Sequence, residues 1–187
     1  MDQVWRDWCA VLFTVLAGLA LLALVIVRLA RARREPSDRA ARRRGVAEVG
    51  AVAGTLPWVW MTLAPRPAPR DVHLVPLRDL ADLLTAPPAT AVVQVVGNLL
   101  VFAALGFFAP VRFAALASVG RLFLLGAAGS LLVEFLQYAL DLGRVSSVDD
   151  VLLNATGAAL AGLLSRRWWA RPSASVRPAA VPATPQV

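Results

Sequence analysis

Residues 122–140 read LFLLGAAGSLLVEFLQYAL, an apolar run bounded by Arg121 and Asp141. About 20 such residues cross the hydrocarbon core of a bilayer as a helix, because each residue adds roughly 1.5 Å. The run therefore predicts a transmembrane helix. Its polar residues Glu134 and Gln137 predict that one face of this helix is turned toward protein instead of lipid.

The whole chain has the composition of a membrane protein. Its 187 residues are 58% hydrophobic and have a mean hydropathy of +0.65, which exceeds what a soluble domain of this size can bury. The net charge of +7 would suit a nucleic-acid ligand, yet the arginines stand in short blocks between apolar runs. That distribution is typical of membrane topology, so we expect no nucleic-acid partner.

Apolar runs predict an all-α transmembrane bundle of about five helices. The predicted spans are residues 8–27, 46–64, 91–109, 122–140 and 151–164. No basic stretch precedes the first run, which favours a retained anchor over a cleaved signal peptide. The expected organisation is an anchor helix with a basic loop (1–45), a helical domain (46–165) and a cytoplasmic tail (166–187). The tail is expected to be disordered, because it is rich in proline, alanine and serine and has no apolar period.

Arginine counts indicate which ends of the spans face the cytoplasm. If residues 28–45 are inside, the inside segments hold fourteen arginines and the outside segments hold five. Positively charged short loops stay in the cytoplasm. The asymmetry therefore predicts an outside N-terminus and an inside C-terminus.

Polar side chains within the spans carry most of the functional information, because each costs a few kcal/mol to insert. Asn98 and Glu134 each lie seven residues from the outer end of a span, about 10 Å deep at roughly 1.5 Å per residue. Helical spacing places Ser130, Gln137 and Tyr138 on the face of Glu134. The loop and helix that follow add further polar groups. The candidate ligand site is an outer cluster made of Asn98, Glu134, Gln137, Arg144, Asp149, Asp150 and Asn154.

Three interpretations of this cluster stay open. In the structural one, Glu134 pairs with Arg144 and the amides hydrogen-bond between helices. In the enzymatic one, Glu134 or the Asp149 and Asp150 pair is a general base, and Arg144 stabilises phosphate charge. In the binding one, the cluster receives a ligand whose anionic head group faces Arg144. A transporter is disfavoured because the chain has no detectable inverted repeat.

No metal or cofactor is expected. The one cysteine, Cys9, excludes a Cys-based metal cluster and an intrachain disulfide. The sequence has no Gly-rich phosphate loop, zinc-protease motif or nucleophile elbow, and the one histidine, His73, falls in an outer loop.

Three stretches together resemble the VanZ-like family. They are NLLVFAALGFFAP (98–110), SLLVEFLQ (130–137) and RVSSVDDVLLNATGAALAG (144–162), and the resemblance spans roughly residues 50–165. The family's pattern of Asn, Glu-x-x-Gln, Arg, Asp-Asp and Asn-x-x-Gly falls on the seven cluster residues and Gly157. The chain departs from the family at Ser147, where many members have an acidic residue.

The resemblance implies a multi-pass protein of the bacterial cytoplasmic membrane. It associates the chain with resistance to teicoplanin, which acts on cell-wall precursors outside that membrane, and is equally compatible with a housekeeping envelope role. The expected partners are membrane lipids and a lipid-linked cell-wall precursor or a lipoglycopeptide. The alternatives are an intramembrane enzyme acting on a lipid-phosphate substrate, or a polar cluster with a purely structural role. The oligomeric state is left open.

Overall fold

The computed structural model describes residues 39–66 and 71–170. Within these residues, four helices are long and apolar enough to cross a membrane: Arg42–Leu63, Pro88–Arg112, Val119–Ala139 and Val148–Trp168. They coincide, within a few residues at their ends, with the last four predicted spans. The prediction of a transmembrane helical bundle is therefore confirmed for this part of the chain. The first predicted span, residues 8–27, lies outside the described residues, as does the tail beyond residue 170.

The elements follow one another with short connections. In chain order they are α1 (Arg39–Leu63), β1 (Asp71–His73), α2 (Arg78–Asp82), α3 (Pro88–Val101), α4 (Ala103–Arg112), α5 (Val119–Ala139), β2 (Val145–Ser147) and α6 (Val148–Ser165). Short 3-10 turns occupy Ala114–Leu116 and Arg166–Trp168. We call the end of the bundle that holds residues 71–87 and 140–147 the carboxylate end. The opposite end, with residues 113–118 and 166–170, is the arginine end.

The predicted span 91–109 consists of two helices that meet at Phe102. The backbone there (φ −111°, ψ 10°) leaves the helical conformation, and the helix resumes when the Gly106 amide donates to the Phe102 carbonyl at 2.9 Å. The Phe102 ring is buried beside Gly129 of α5, in a core that also contains Val101 and Val133. The break thus turns a large aromatic side chain into the bundle.

Helix α4 also extends beyond the predicted end before Pro110. Inside a helix, proline removes its own backbone donor and its ring crowds the carbonyl four residues earlier, and α4 continues for only two residues beyond it. The Pro110 carbonyl accepts the Ala170 amide at 2.8 Å, and two residues later Arg112 forms an ion pair with Glu48 of α1. These contacts hold α1, α4 and the end of the last span together at the arginine end.

Helix α6 packs against α3, α4 and α5. Its Gly157 faces the Leu99 carbonyl of α3 so closely that an added Cβ would lie 1.9 Å from that oxygen. The Ala158 backbone of α6 is equally close to Gly106 of α4. A Cβ added at Gly106 would lie 2.0 Å from the Ala158 carbonyl oxygen. Small residues three and four apart permit such close approach in lipid. Gly157 therefore allows α6 to approach α3 closely.

The structure adds a two-stranded parallel ribbon that the all-α prediction did not contain. Strands β1 and β2 pair in the register Asp71 with Val145, Val72 with Ser146 and His73 with Ser147. Each strand has only three residues, which is too short for an alternating apolar pattern to reveal it. The ribbon connects the segment after α1 to the start of α6.

Replacing Gly157 with Ala should lower the melting temperature of the purified protein in detergent. The added Cβ would overlap the Leu99 carbonyl, and overpacking of this kind costs about 1–3 kcal/mol. Gly97→Ala is the matched control, because a Cβ there meets nothing within 4 Å. Equal melting curves of the two variants, followed by circular dichroism, would contradict the close contact between α3 and α6.

Candidate functional site

Glu134 lies on α5 five residues before its carboxylate end, beside strand β2. Its side chain is half-buried, and the Ser146 hydroxyl donates to the Glu134 backbone carbonyl at 3.4 Å. The Oε2 atom is nevertheless buried without a hydrogen-bond partner. Buried polar atoms are nearly always paired in proteins, so an unpaired carboxylate oxygen needs an explanation. Oε2 of Glu134 is thus an acceptor to which no group in the described part of the chain donates a hydrogen bond.

Asp150 lies on the first turn of α6, and its charge acts on Glu134. Asn98 of α3 donates from Nδ2 to Oδ1 of Asp150, so the predicted partners from two separate spans are brought together. The charges of Asp150 and Arg144 both act on Glu134. Two carboxylates from neighbouring helices therefore share one half-buried region. We call Asn98, Glu134, Arg144 and Asp150 the carboxylate cluster.

Arg144 approaches this cluster from the loop before β2. Its Nε atom donates to the Ala64 carbonyl at 3.1 Å and its Nη2 atom donates to the Met61 carbonyl at 2.8 Å. Helix C-termini leave carbonyls without intrahelical partners, and Arg144 satisfies two of them at the end of α1. Burial lowers the pKa of Arg144 to about 10, so the guanidinium stays charged at neutral pH.

The simple pairing of Glu134 with Arg144 is not observed. In the described part of the chain the two groups act on each other through space, while the side-chain hydrogen bonds of Arg144 go to backbone carbonyls. A guanidinium has five N–H donors, and these two bonds use two of them. Arg144 thus has a structural task at α1 and a positive charge beside the carboxylates.

Gln137 and Asn154 make hydrogen bonds between helices, as the structural interpretation expects of amides. Buried Gln137 donates to the Thr62 carbonyl of α1 at 2.9 Å. Buried Asn154 donates to the Ser130 hydroxyl of α5 at 2.7 Å, and its Oδ1 atom is buried without a partner. The predicted inward face of α5 is thus present at Ser130 and Gln137. Tyr138, placed on the same face, is exposed.

Asp149 has different hydrogen-bond partners from Asp150. Its side chain is 1% exposed, and its two oxygens accept the backbone amides of Leu77 and Leu80, the latter at 3.1 Å. Leu77 has a positive φ of 66°, a backbone conformation that is strained for a branched residue and is held here by the carboxylate. Ser147 caps α6 by accepting the Asp149 amide at 3.1 Å. The predicted ligand-site residue Asp149 therefore fastens the segment that follows β1.

Sequence reasoning did not find a second polar group on that segment, formed by His73 and two aspartates. Nδ1 of His73 lies 2.6 Å from Asp79, and Nε2 lies 3.3 Å from Asp71. The hydrogen bond with Asp79 raises the pKa of His73, and a hydrogen bond from the Val72 amide lowers the pKa of Asp71. The spacing of these residues alone gave no signal, because the turn at Leu77 brings them together.

The arrangement is rich in acceptors. The Asp150 carboxylate accepts from Asn98, Oε2 of Glu134 has no donor, and Asn154 adds an unpaired carbonyl oxygen one turn deeper along α6. No group of three or more His, Cys, Asp or Glu residues in the described ranges has the geometry of a metal site. The site is suited to a ligand that donates hydrogen bonds from hydroxyl, amide or amine groups.

The fold and the site define a multi-pass helical membrane protein with a half-buried carboxylate cluster at one end of its bundle. The family model described as VanZ/LLP1 matches residues 49–169, which include the whole cluster. The chain belongs to the VanZ-like family, as its motifs indicated. No curated protein sequence and no solved structure is significantly similar to it.

Asp149→Ala should release the segment around Leu77 while the bundle stays folded. The amides of Leu77 and Leu80 lose their acceptor, and hydrogen bonds to charged groups are worth about 1.5–3 kcal/mol. Hydrogen–deuterium exchange of peptides covering residues 71–87 should become faster, with little change in peptides of α5. Asp82→Asn, at an exposed residue of the same segment, is the control. Unchanged exchange in Asp149→Ala would contradict the anchoring role.

His73 should titrate above its usual pKa of about 6.5, because the Asp79 carboxylate stabilises the protonated ring. A raised pKa in the folded state means that this stabilisation is complete below the pKa of a free histidine and is lost as pH rises through the raised value. The chain has one histidine, so the ring signal in NMR is unambiguous. Asp79→Asn should bring the pKa down and Asp82→Asn should leave it unchanged; a normal pKa in the wild type would refute the pairing.

Proposed function

We propose that the protein acts at the extracytoplasmic side of the bacterial cytoplasmic membrane, where the carboxylate cluster binds the polar head of an amphiphilic glycan. The ligand is a lipid-linked cell-wall precursor or a lipoglycopeptide of the teicoplanin type. Binding at this place lowers susceptibility to such glycopeptides, either by sequestering the drug or by changing access to its target.

The observation that carries the proposal is the unpaired, buried Oε2 atom of Glu134 beside Asp150. Sugar hydroxyls and peptide amides donate hydrogen bonds, and two acceptors on adjacent helices can bind two neighbouring donors of one ring. Arg144 supports the same ligand class, because its remaining N–H groups and its charge suit a phosphate or carboxylate of the head group.

The position of the cluster suits a ligand with an apolar tail. Glu134 and Asp150 lie within the first turns below the ends of membrane-spanning helices, so a bound head group would sit at the level of lipid head groups. The arginine counts support an outside location of the carboxylate end, because the basic segments of the chain adjoin the arginine end. A tail can then stay in the bilayer while the head is bound.

Binding is tested with purified protein in nanodiscs and with two probes, teicoplanin and a lipid-linked disaccharide–peptide precursor. Glu134→Ala and Asn98→Ala should weaken binding of the recognised probe about tenfold or more, because each removes part of a charge-assisted hydrogen-bond set worth about 1.5–3 kcal/mol. Glu48→Gln, an acidic residue at the arginine end, is the matched control and should bind like the wild type. Equal affinities of wild type and Glu134→Ala would refute the proposal.

Growth inhibition by teicoplanin tests the proposal in cells. Cells expressing the wild type should need more teicoplanin for growth inhibition than cells expressing Glu134→Ala at the same protein level, while vancomycin, which lacks the lipid tail, should separate them less. Identical inhibition by teicoplanin in all strains would remove the resistance part of the proposal and leave the binding part to the affinity measurement.

A second candidate function is hydrolysis of a lipid-phosphate substrate, and the carboxylate pair is the observation that favours it. A carboxylate general base must lie close to a second polar group that orients the attacking water, and Asp150 with Asn98 stands beside Glu134 in this way. Arg144 would stabilise charge on the phosphate. Release of phosphate from a polyprenyl diphosphate by the wild type, abolished in Glu134→Gln while binding persists, identifies the enzyme; binding without release identifies the receptor.

A further inference from the structure

The segment of residues 71–87 carries an exposed apolar surface that the proposed glycan site does not use. Its aliphatic side chains are unusually open: Leu84 is 87% exposed, Leu74 73%, Leu77 61% and Val75 60%. Single exposed apolar residues are normal in proteins, but a concentration of them within so short a stretch marks a contact surface. We call Leu74, Val75, Leu77 and Leu84 the apolar patch.

We propose that the apolar patch is embedded in the membrane leaflet at the carboxylate end and contacts lipid acyl chains there. The segment would then be an interfacial element lying along the membrane, and its partner is the lipid surface itself. This inference is independent of the glycan ligand and of the direction in which the bundle is oriented.

The segment is fastened close to the start of α6. Strand β1 pairs with β2, whose last residue Ser147 immediately precedes the membrane-spanning helix α6. The carboxylate of Asp149, the second residue of α6, accepts the amides of Leu77 and Leu80. One residue of helix advances about 1.5 Å, so these contacts fasten the segment within a few Å of the point where α6 enters the membrane. It cannot stand away from the bilayer as a free aqueous loop.

Polar and apolar side chains of the segment are distributed as expected beside a membrane. His73 and Asp79 are half-buried and bonded to each other, and the anchoring Asp149 is buried. The aliphatic side chains of the apolar patch are turned outward, while Leu80 and Leu83 are half-buried. A segment surrounded by water is expected to show the opposite arrangement, with apolar groups inside and charged groups outside. Exposed Arg78 and Asp82 then mark the side that meets head groups and water.

The membrane-spanning helices also expose apolar side chains at the carboxylate end. Val92 and Val93 of α3 and Leu140 after α5 are exposed near the same end of the bundle. These side chains belong to the lipid-exposed boundary of membrane-spanning helices and their ends. The apolar patch extends this surface onto the connecting segment.

Site-directed spin labelling tests the proposal with the full chain in phosphatidylcholine–phosphatidylglycerol vesicles. Single cysteines replace Leu74 or Leu84 in a Cys9→Ser background, with Val93 as the reference for lipid exposure and Asp82 as the reference for the polar side. Nitroxides at positions 74 and 84 should collide more often with oxygen than with a water-soluble nickel chelate, as at position 93. The order of the two collision rates should be reversed at position 82.

Two results would overturn the proposal. Nitroxides at positions 74 and 84 that collide mainly with the nickel chelate would show that the patch lies in water. Nitroxides shielded from both reagents would show that protein covers the patch, either a second copy of the chain or another partner. Because all labelled positions are exposed, the labels should not unfold the bundle, and circular dichroism of each labelled protein verifies this.

Discussion

The close contact between Gly157 of α6 and the Leu99 carbonyl of α3 is the constraint on which the site depends. A side chain at position 157 would occupy the place of a backbone oxygen, so the two helices can approach this far only with glycine there. The residue next to Leu99 is Asn98, and the approach allows its amide to reach Asp150 at the start of α6. The packing of small residues and the assembly of the polar cluster therefore depend on the same close approach of α3 and α6.

The polar residues that looked alike in the sequence have different tasks in the fold. Gln137, Arg144 and Asp149 satisfy backbone groups of α1 and of the segment after β1, groups that would otherwise lack partners in a poorly hydrated place. Glu134 and Asp150 instead lie on neighbouring helices, where the charge of Asp150 acts on Glu134 and Oε2 of Glu134 has no donor. A purely structural cluster would be expected to satisfy all its members, because a half-satisfied buried network destabilises the fold. This difference is why a ligand is proposed for the carboxylates and a supporting role for the others.

The sequence predicted the features that depend on composition and helical spacing. The last four spans follow from hydropathy, and the inward face that Ser130 and Gln137 form on α5 follows from the periodicity of a helix. The break at Phe102, the β1–β2 ribbon and the pairing of His73 with Asp79 did not follow, because each arises from contacts between residues distant in the chain or from a turn with a left-handed residue. The anchoring role of Asp149 could not be predicted for the same reason. Asp149 and Asp150 are adjacent and chemically identical, so the sequence alone does not distinguish the partners that each contacts in the fold.

The central claim is that the carboxylate cluster opens on the extracytoplasmic side, and cysteine labelling of intact cells tests it most directly. In a Cys9→Ser background, single cysteines at exposed Asp82 and exposed Ala115 report the carboxylate end and the arginine end, respectively. A membrane-impermeant maleimide should label position 82 in intact cells and position 115 only after the membrane is permeabilised. The opposite pattern, with position 115 labelled from outside and position 82 protected until permeabilisation, would place the cluster in the cytoplasmic leaflet and contradict the account.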